Sequence, residues 1–274
     1  MKLSTLIPGL ALVGASIATQ SLCNKYTTAL FGSNTEAHQQ LLLHKLVNTA
    51  VIGNYSAGAL NAVPGILAPG TYNGENVNLL QYFDGELASS NRGGKCGVAI
   101  NFLDGGGAAP LMNDKAANCR NCNQFFLLTH LYKFFAALLG CSVFGNTVKP
   151  YDGFNGMYQV HKFMALDAAE VGYFIQQVGL AATSFGVSQS DAAAVGQALM
   201  ALFGYRCAPA TSVPSFEPAA LQSICTACDC PKASPADCGD YGPVIEPKPA
   251  GSSSSWCGSK GWKSSWKWCS SHHS

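Results

Sequence analysis

Two histidines lie in apolar surroundings, where an imidazole could bind a metal ion or carry a proton. His161 lies in the segment 156–166 (GMYQVHKFMAL), and His130 lies in 122–139, the most apolar stretch after residue 18. Neutral imidazole is the commonest metal ligand among side chains, and its charge changes near physiological pH. The alternative for each is an ordinary core, capping or surface histidine. We take both as candidate ligands.

Twelve cysteines form the second group of reactive side chains. An even number of cysteines in an exported chain indicates a disulfide framework, whose connectivity the sequence does not determine. Zinc binding is the alternative for Cys119-x-x-Cys122 and for Cys225-x-x-Cys228-x-Cys230, because closely spaced thiolates chelate zinc well. We expect most of the cysteines to be oxidised.

The N-terminal residues predict export. Residues 1–18 contain Lys2, an apolar run over 3–17 and the small-x-small sequence Ser16-Ile17-Ala18, which together are typical of a cleaved signal peptide. No later segment has the roughly 20 apolar residues that a membrane span requires. Asn54-Tyr55-Ser56 is an N-glycosylation sequon. We therefore expect a secreted glycoprotein.

Helical periodicity dominates the segments that must position the histidines. Four long helices are expected, at 35–51 after an Asn34 or Thr35 cap, at 122–139, at 167–185, and from Ser188 or Ser190 to 203. Asp167 and Glu170 have the spacing of a capping box, and 156–166 predicts a short helical segment. Residues 55–118 are rich in turn-forming residues. Short elements are expected at 77–83 and 98–103, and we expect Cys96 to anchor this region.

The order and spacing of these segments resemble a truncated haemoglobin. The similarity covers 122 to about 209, with a weaker stretch at 25–54. The matching segments are 134–140 for the end of the distal E helix, 156–162 for the F segment, the last two helices for G and H, 26–32 for A, and 43–54 for B. The resemblance implies a mainly α, globin-like helical domain with a long irregular insertion and a disulfide-rich C-terminal extension.

The resemblance also implies that the domain binds haem b through His161. A haem iron needs a strong axial donor on its proximal side, which imidazole supplies in globins. Val160 and Met164 would then belong to an apolar wall against one haem face. His130 would be either a sixth iron ligand or a surface histidine near a haem propionate.

On the distal side this sequence departs from the family pattern. Asn48 stands where truncated globins commonly have tyrosine, and an asparagine can still donate a hydrogen bond to a bound ligand. Leu127 and Leu131 stand where a glutamine is frequent, and with Phe134 they would make the distal side apolar. Tyr82 or Phe83 is the expected aromatic residue at the haem edge.

Composition restricts the function classes. The net charge of +1 lacks the excess of basic residues expected of a nucleic-acid-binding domain. Neither G-x-S-x-G nor H-E-x-x-H occurs, which disfavours a hydrolase. The leading hypothesis is an extracellular haem protein that binds oxygen or another diatomic gas, with redox activity on nitric oxide or peroxide left open. The alternative is a secreted structural or adhesive disulfide-rich protein with a globin-like core and no haem.

The predicted organisation has four parts. A signal peptide (1–18) precedes a globin-like domain (19–209) with its insertion at about 55–118, a Cys-rich extension (210–250) and a tail (251–274). The tail carries four tryptophans among lysines and serines. Such a tail is first interpreted as a disordered or tethering segment, and contact with a cell-wall polysaccharide or with another copy of the chain is the alternative.

Overall fold

A computed structural model describes residues 20–94, 96–147, 149, 151–213 and 218–252. The predicted signal peptide and nearly all of the predicted tail, with Cys257 and Cys269, lie outside these residues. Of the described residues, 41% are helical. None of the helices among them is long and apolar enough to cross a membrane.

The described part of the chain contains seven α-helices and one two-stranded sheet. In chain order the elements are α1 (Leu22–Phe31), α2 (Glu36–Ile52), β1 (Gly70–Tyr72), β2 (Glu75–Val77), α3 (Ala108–Leu111), α4 (Asn123–Leu138), α5 (Met157–His161), α6 (Ala168–Ser184) and α7 (Gln189–Phe203). Short 3₁₀ turns occur at Leu80–Tyr82, Arg92–Gly94 and Cys238–Asp240. The expectation of a mainly α fold is confirmed.

The long helices begin where their capping residues predict. The Thr35 side chain accepts a hydrogen bond from the His38 amide at the start of α2, and Ser188 caps α7 by accepting one from the Asp191 amide. At α6, Asp167 and Glu170 form the complete predicted capping box. These caps satisfy first-turn amides that have no partner within the helix.

α2 lies at the centre of the helical core, because α1, α4 and α6 all pack against it. α6 also packs against α7 and against both strands. The first helix is held covalently, since Cys23 in α1 forms a disulfide with Cys141 just after α4. Tyr26 and Lys25 add hydrogen bonds to Asp191 at the start of α7.

The long insertion is more ordered than its turn-rich sequence predicts. β1 and β2 form an antiparallel hairpin whose turn residues, Asn73 and Gly74, have φ angles of 50° and 88°. Two positive φ angles are characteristic of the Asn-Gly turn that matches strand twist. The element predicted at 77–83 is the end of β2 followed by a 3₁₀ turn, whereas 98–103 forms only isolated bridges to the segment 84–90.

The ten described cysteines are all disulfide-bonded. Besides Cys23–Cys141, the pairs are Cys119–Cys122, Cys207–Cys238 and Cys225–Cys230, while Cys96 and Cys228 are also bonded. Within the described ranges no group of three or more His, Cys, Asp or Glu side chains is placed to hold a metal ion. The disulfide expectation is therefore confirmed here, and the closely spaced thiols of the zinc alternative are bonded.

Candidate functional site

His161 is the last residue of α5, which is shorter than the helical segment predicted over 156–166. Lys162 is its C-cap, and further along Ala165 has a φ of 50°, a left-handed conformation that a continuing helix would not contain. Nδ1 of His161 lies 2.8 Å from the carbonyl oxygen of Met157. A carbonyl oxygen only accepts, so Nδ1 donates and the lone pair of the neutral ring is on Nε2.

Burial lowers the pKa of the His161 imidazole, and the weaker opposing effect is the bond to Met157. The ring is therefore neutral near pH 7, as ligation of a metal requires. Of the other residues predicted on this side, Val160 is half-buried and Met164 packs against the hydrophobic core.

His130 lies in α4 beside a cluster of charges. Its Nδ1 donates to the carbonyl oxygen of Phe126 at 2.7 Å, and its Nε2 lies 3.8 Å from Oδ1 of Asp152. Lys149 and Lys133 also bind Asp152, at 2.8 Å and 3.0 Å, and hold the pKa of that carboxyl at about 2. The nitrogen that would bind iron thus faces a carboxylate in this structure.

Asn48 is completely buried, and both ends of its amide are used within the core. Its Oδ1 accepts a hydrogen bond from the Tyr132 hydroxyl at 2.6 Å, and its Nδ2 donates to the carbonyl oxygen of Leu111 at 3.0 Å. The predicted distal hydrogen-bond donor therefore joins α2 to α3 and α4.

Leu127 and Leu131 of α4 pack against the insertion. With Phe83 they line a cavity in which about 10 Å³ is accessible to the centre of a water molecule, which is room for roughly one water. Tyr82, the other predicted haem-edge residue, donates its hydroxyl to Glu170 at 2.9 Å. The structure thus brings Leu127, Leu131 and Phe83 together and places Tyr82 against α6.

Phe134 packs against other aromatic rings of the protein. Its ring centroid lies 6.0 Å from that of Phe203 in α7, 6.1 Å from Tyr151 and 5.6 Å from Phe135. These distances are those of direct aromatic packing. A porphyrin inserted between two rings would separate them by about 7 Å, twice the optimal carbon–carbon contact distance.

Only part of the predicted haem site fits a haem in this arrangement. Nε2 of His161 has the chemistry of an axial ligand. By contrast, Asn48 is bonded on both sides, the cavity at Leu127 and Leu131 holds about one water, and the Phe134 ring packs against three other aromatic rings. The distal residues as packed here do not fit the group.

A larger cavity lies beside α5, and no sequence pattern predicted it. About 50 Å³ of it is accessible to the centre of a water molecule, and its lining includes Tyr158, Lys162, Arg206, Thr226 and Tyr241. The Gly242 amide donates to the Tyr158 hydroxyl at 2.8 Å. Only Tyr158 and Lys162, four residues apart, share a recognisable helical spacing, since the other residues come from distant segments.

Compared with protein-family models, with curated proteins and with solved structures, the chain shows no significant match.

Proposed function

We propose that this protein is a secreted, disulfide-stabilised structural or adhesive protein with a globin-like helical core that holds no haem. The observation that carries the proposal is the packing of Phe134. The ring that the globin resemblance places against the haem lies instead against Phe203 and Tyr151.

The hydrogen bonds of the core support the same proposal. The buried Asn48 amide is bonded to Tyr132 and Leu111, so turning it toward a bound gas would leave buried polar groups unsatisfied, at a cost of about 1–3 kcal/mol each. The helices that resemble B, E, G and H, which are α2, α4, α6 and α7, pack together in one core. This packing favours a globin-like scaffold.

The oxidised cysteines support the extracellular part of the proposal. Every described cysteine is in a disulfide, and such bonds persist in oxidising compartments.

Haem binding through His161, with reversible binding of a diatomic gas, is the second candidate. One observation favours it: the bond from Nδ1 of His161 to Met157 leaves Nε2 available, in the tautomer that a proximal ligand needs. Such a haem would require Phe134 and its neighbours to repack.

A haem titration distinguishes the two candidates. The secreted full-length chain is purified, titrated with ferric haem and followed by its Soret absorption, beside His161→Ala and, as the matched control, His38→Ala at a half-buried histidine of α2 outside the predicted haem site. We expect all three proteins to give the same weak, non-stoichiometric response. A Soret band at one haem per chain that is lost only in His161→Ala would overturn the proposal and establish the second candidate.

A further inference from the structure

The lining of one cavity includes two cationic residues and no carboxylate. Lys162, at the end of α5, and Arg206, just after α7, both line the cavity of about 50 Å³. Neither forms an ion pair with any Asp or Glu of the described residues. The Nε of Arg206 donates to the carbonyl oxygen of Cys230 at 3.0 Å, which fixes the guanidinium at the cavity wall.

Two hydroxyl groups at the same wall retain hydrogen-bonding capacity. The Tyr158 oxygen accepts the Gly242 amide, and its own proton has no acceptor among the described residues. The Thr226 hydroxyl is buried without a partner. Buried polar groups in native proteins are nearly always hydrogen-bonded, so those that are not require an explanation.

The cavity walls are held rigidly. The disulfides Cys207–Cys238 and Cys225–Cys230 fix two of the contributing segments, and the Tyr158 ring packs edge-on against Tyr241 at 4.8 Å. A site whose donors are already in place loses little entropy when a ligand binds.

We propose that this cavity binds a small carboxylate, held by Lys162 and Arg206 and by the Tyr158 hydroxyl. Unbalanced cations select an anion, and the planar guanidinium of an arginine matches the two oxygens of a carboxylate. A volume of about 50 Å³ corresponds to about three or four waters, which is the size of a carboxylate head group with one or two carbons. A longer ligand would extend from the cavity into solvent.

This inference goes beyond the proposed scaffold role and does not depend on it. The cavity is lined by Tyr158 of α5 and by Lys162, the residue that follows this helix, whereas haem binding would depend on His161. Failure of carboxylate binding would leave the haem titration unchanged, and a positive haem titration would leave the cavity unaffected.

NMR titration of the full-length oxidised protein with sodium acetate at pH 7 tests the proposal, with sodium chloride at equal ionic strength as the reference. The Gly242 amide, bonded to Tyr158, is the reporter resonance. We expect a saturable shift with a dissociation constant on the order of 1 mM.

Three variants test the role of Lys162. Lys162→Met should weaken acetate binding at least tenfold, and Lys162→Arg should retain it. The matched control Lys115→Met, at an exposed lysine outside the cavity, should have no effect.

Three results would overturn the proposal. The first is a linear, non-saturating shift equal to that with chloride, and the second is unchanged acetate binding in Lys162→Met with an intact fold by thermal unfolding. The third comes from a parallel titration with inorganic phosphate: saturation by phosphate without saturation by acetate would show a tetrahedral-anion site instead of a carboxylate site.

Discussion

At the scale of single residues, Asn48 is a polar side chain that could bind a ligand but instead forms hydrogen bonds within the core. It is the residue where the family resemblance places the distal hydrogen bond, and in the fold it joins three helices. Its partners lie 63 and 84 positions away in the chain. A hydrogen bond that closes only after the helices have assembled leaves no periodic pattern in the sequence.

Tyr132→Phe should therefore destabilise the protein. The substitution keeps the buried ring but removes the donor to Asn48, leaving a fully buried amide oxygen unsatisfied, and we expect a loss of about 1–3 kcal/mol in the free energy of unfolding. Chemical denaturation measures it. The matched control is Tyr205→Phe, which removes a hydroxyl from a ring that is 38% exposed and should change stability by less than about 0.5 kcal/mol. Equal effects of the two substitutions would contradict the role given to the Tyr132–Asn48 bond.

His161 shows what the sequence could predict at this scale. The apolar segment around it correctly predicted a short helix, because a helix follows from local residue order. The packing of Phe134, by contrast, depends on Phe203 and Tyr151, which approach it from other parts of the chain. Local pattern could not provide that information.

At the scale of elements, the sequence predicted helix starts best where a capping residue directly precedes a segment of helical periodicity. α2, α6 and α7 begin at their predicted capping residues. These caps could be predicted because each capping side chain bonds an amide only three residues further along the chain. The insertion was harder to predict, because its order comes from contacts with other elements. The Gly65 amide, for example, donates to the buried Gln177 side chain of α6.

The first turn of α6 should give the protein a pH-dependent stability. Burial is the main cause that raises the pKa of Glu170 to about 6, from an ordinary 4.5. A raised carboxyl pKa means that the folded protein retains a proton between pH 4.5 and 6 that the unfolded chain has released. The ionised carboxylate therefore costs stability above pH 6, and the cost disappears as the pH falls through 6 toward 4.5.

Glu170→Gln isolates this contribution, because glutamine also completes a capping box and accepts the Tyr82 hydroxyl. Above pH 7 we expect the variant to gain about 1 kcal/mol relative to wild type, after allowance for partial exposure. The difference should shrink to zero near pH 4.5. Denaturation curves from pH 4.5 to 8 measure it, with Glu75→Gln in the exposed strand β2 as the control for removing one negative charge. A stability difference that does not vary with pH would contradict the assignment.

At the scale of the whole molecule, the disulfides close loops of very different length. Cys23–Cys141 spans 118 positions and connects α1 to the segment after α4, whereas Cys119–Cys122 spans three positions just before α4. Cysteine number and export signal predicted a framework of this kind. The pairing could not be predicted, because it depends on which helices become neighbours.

Replacing the two disulfides should have unequal effects. A cross-link stabilises a fold mainly by limiting the unfolded chain, and the gain increases with the logarithm of the closed loop. On that basis Cys23→Ala with Cys141→Ala should lose about 5 kcal/mol, against about 2 kcal/mol for Cys119→Ala with Cys122→Ala. Chemical denaturation of the oxidised proteins measures both, and the short-loop pair is the matched control because each double variant removes one bond and two sulfur atoms. Equal losses, or a larger loss for the short loop, would contradict this expectation. In that case α1 is held mainly by its packing against α2 and its bonds to Asp191, and the Cys23–Cys141 disulfide adds little stability.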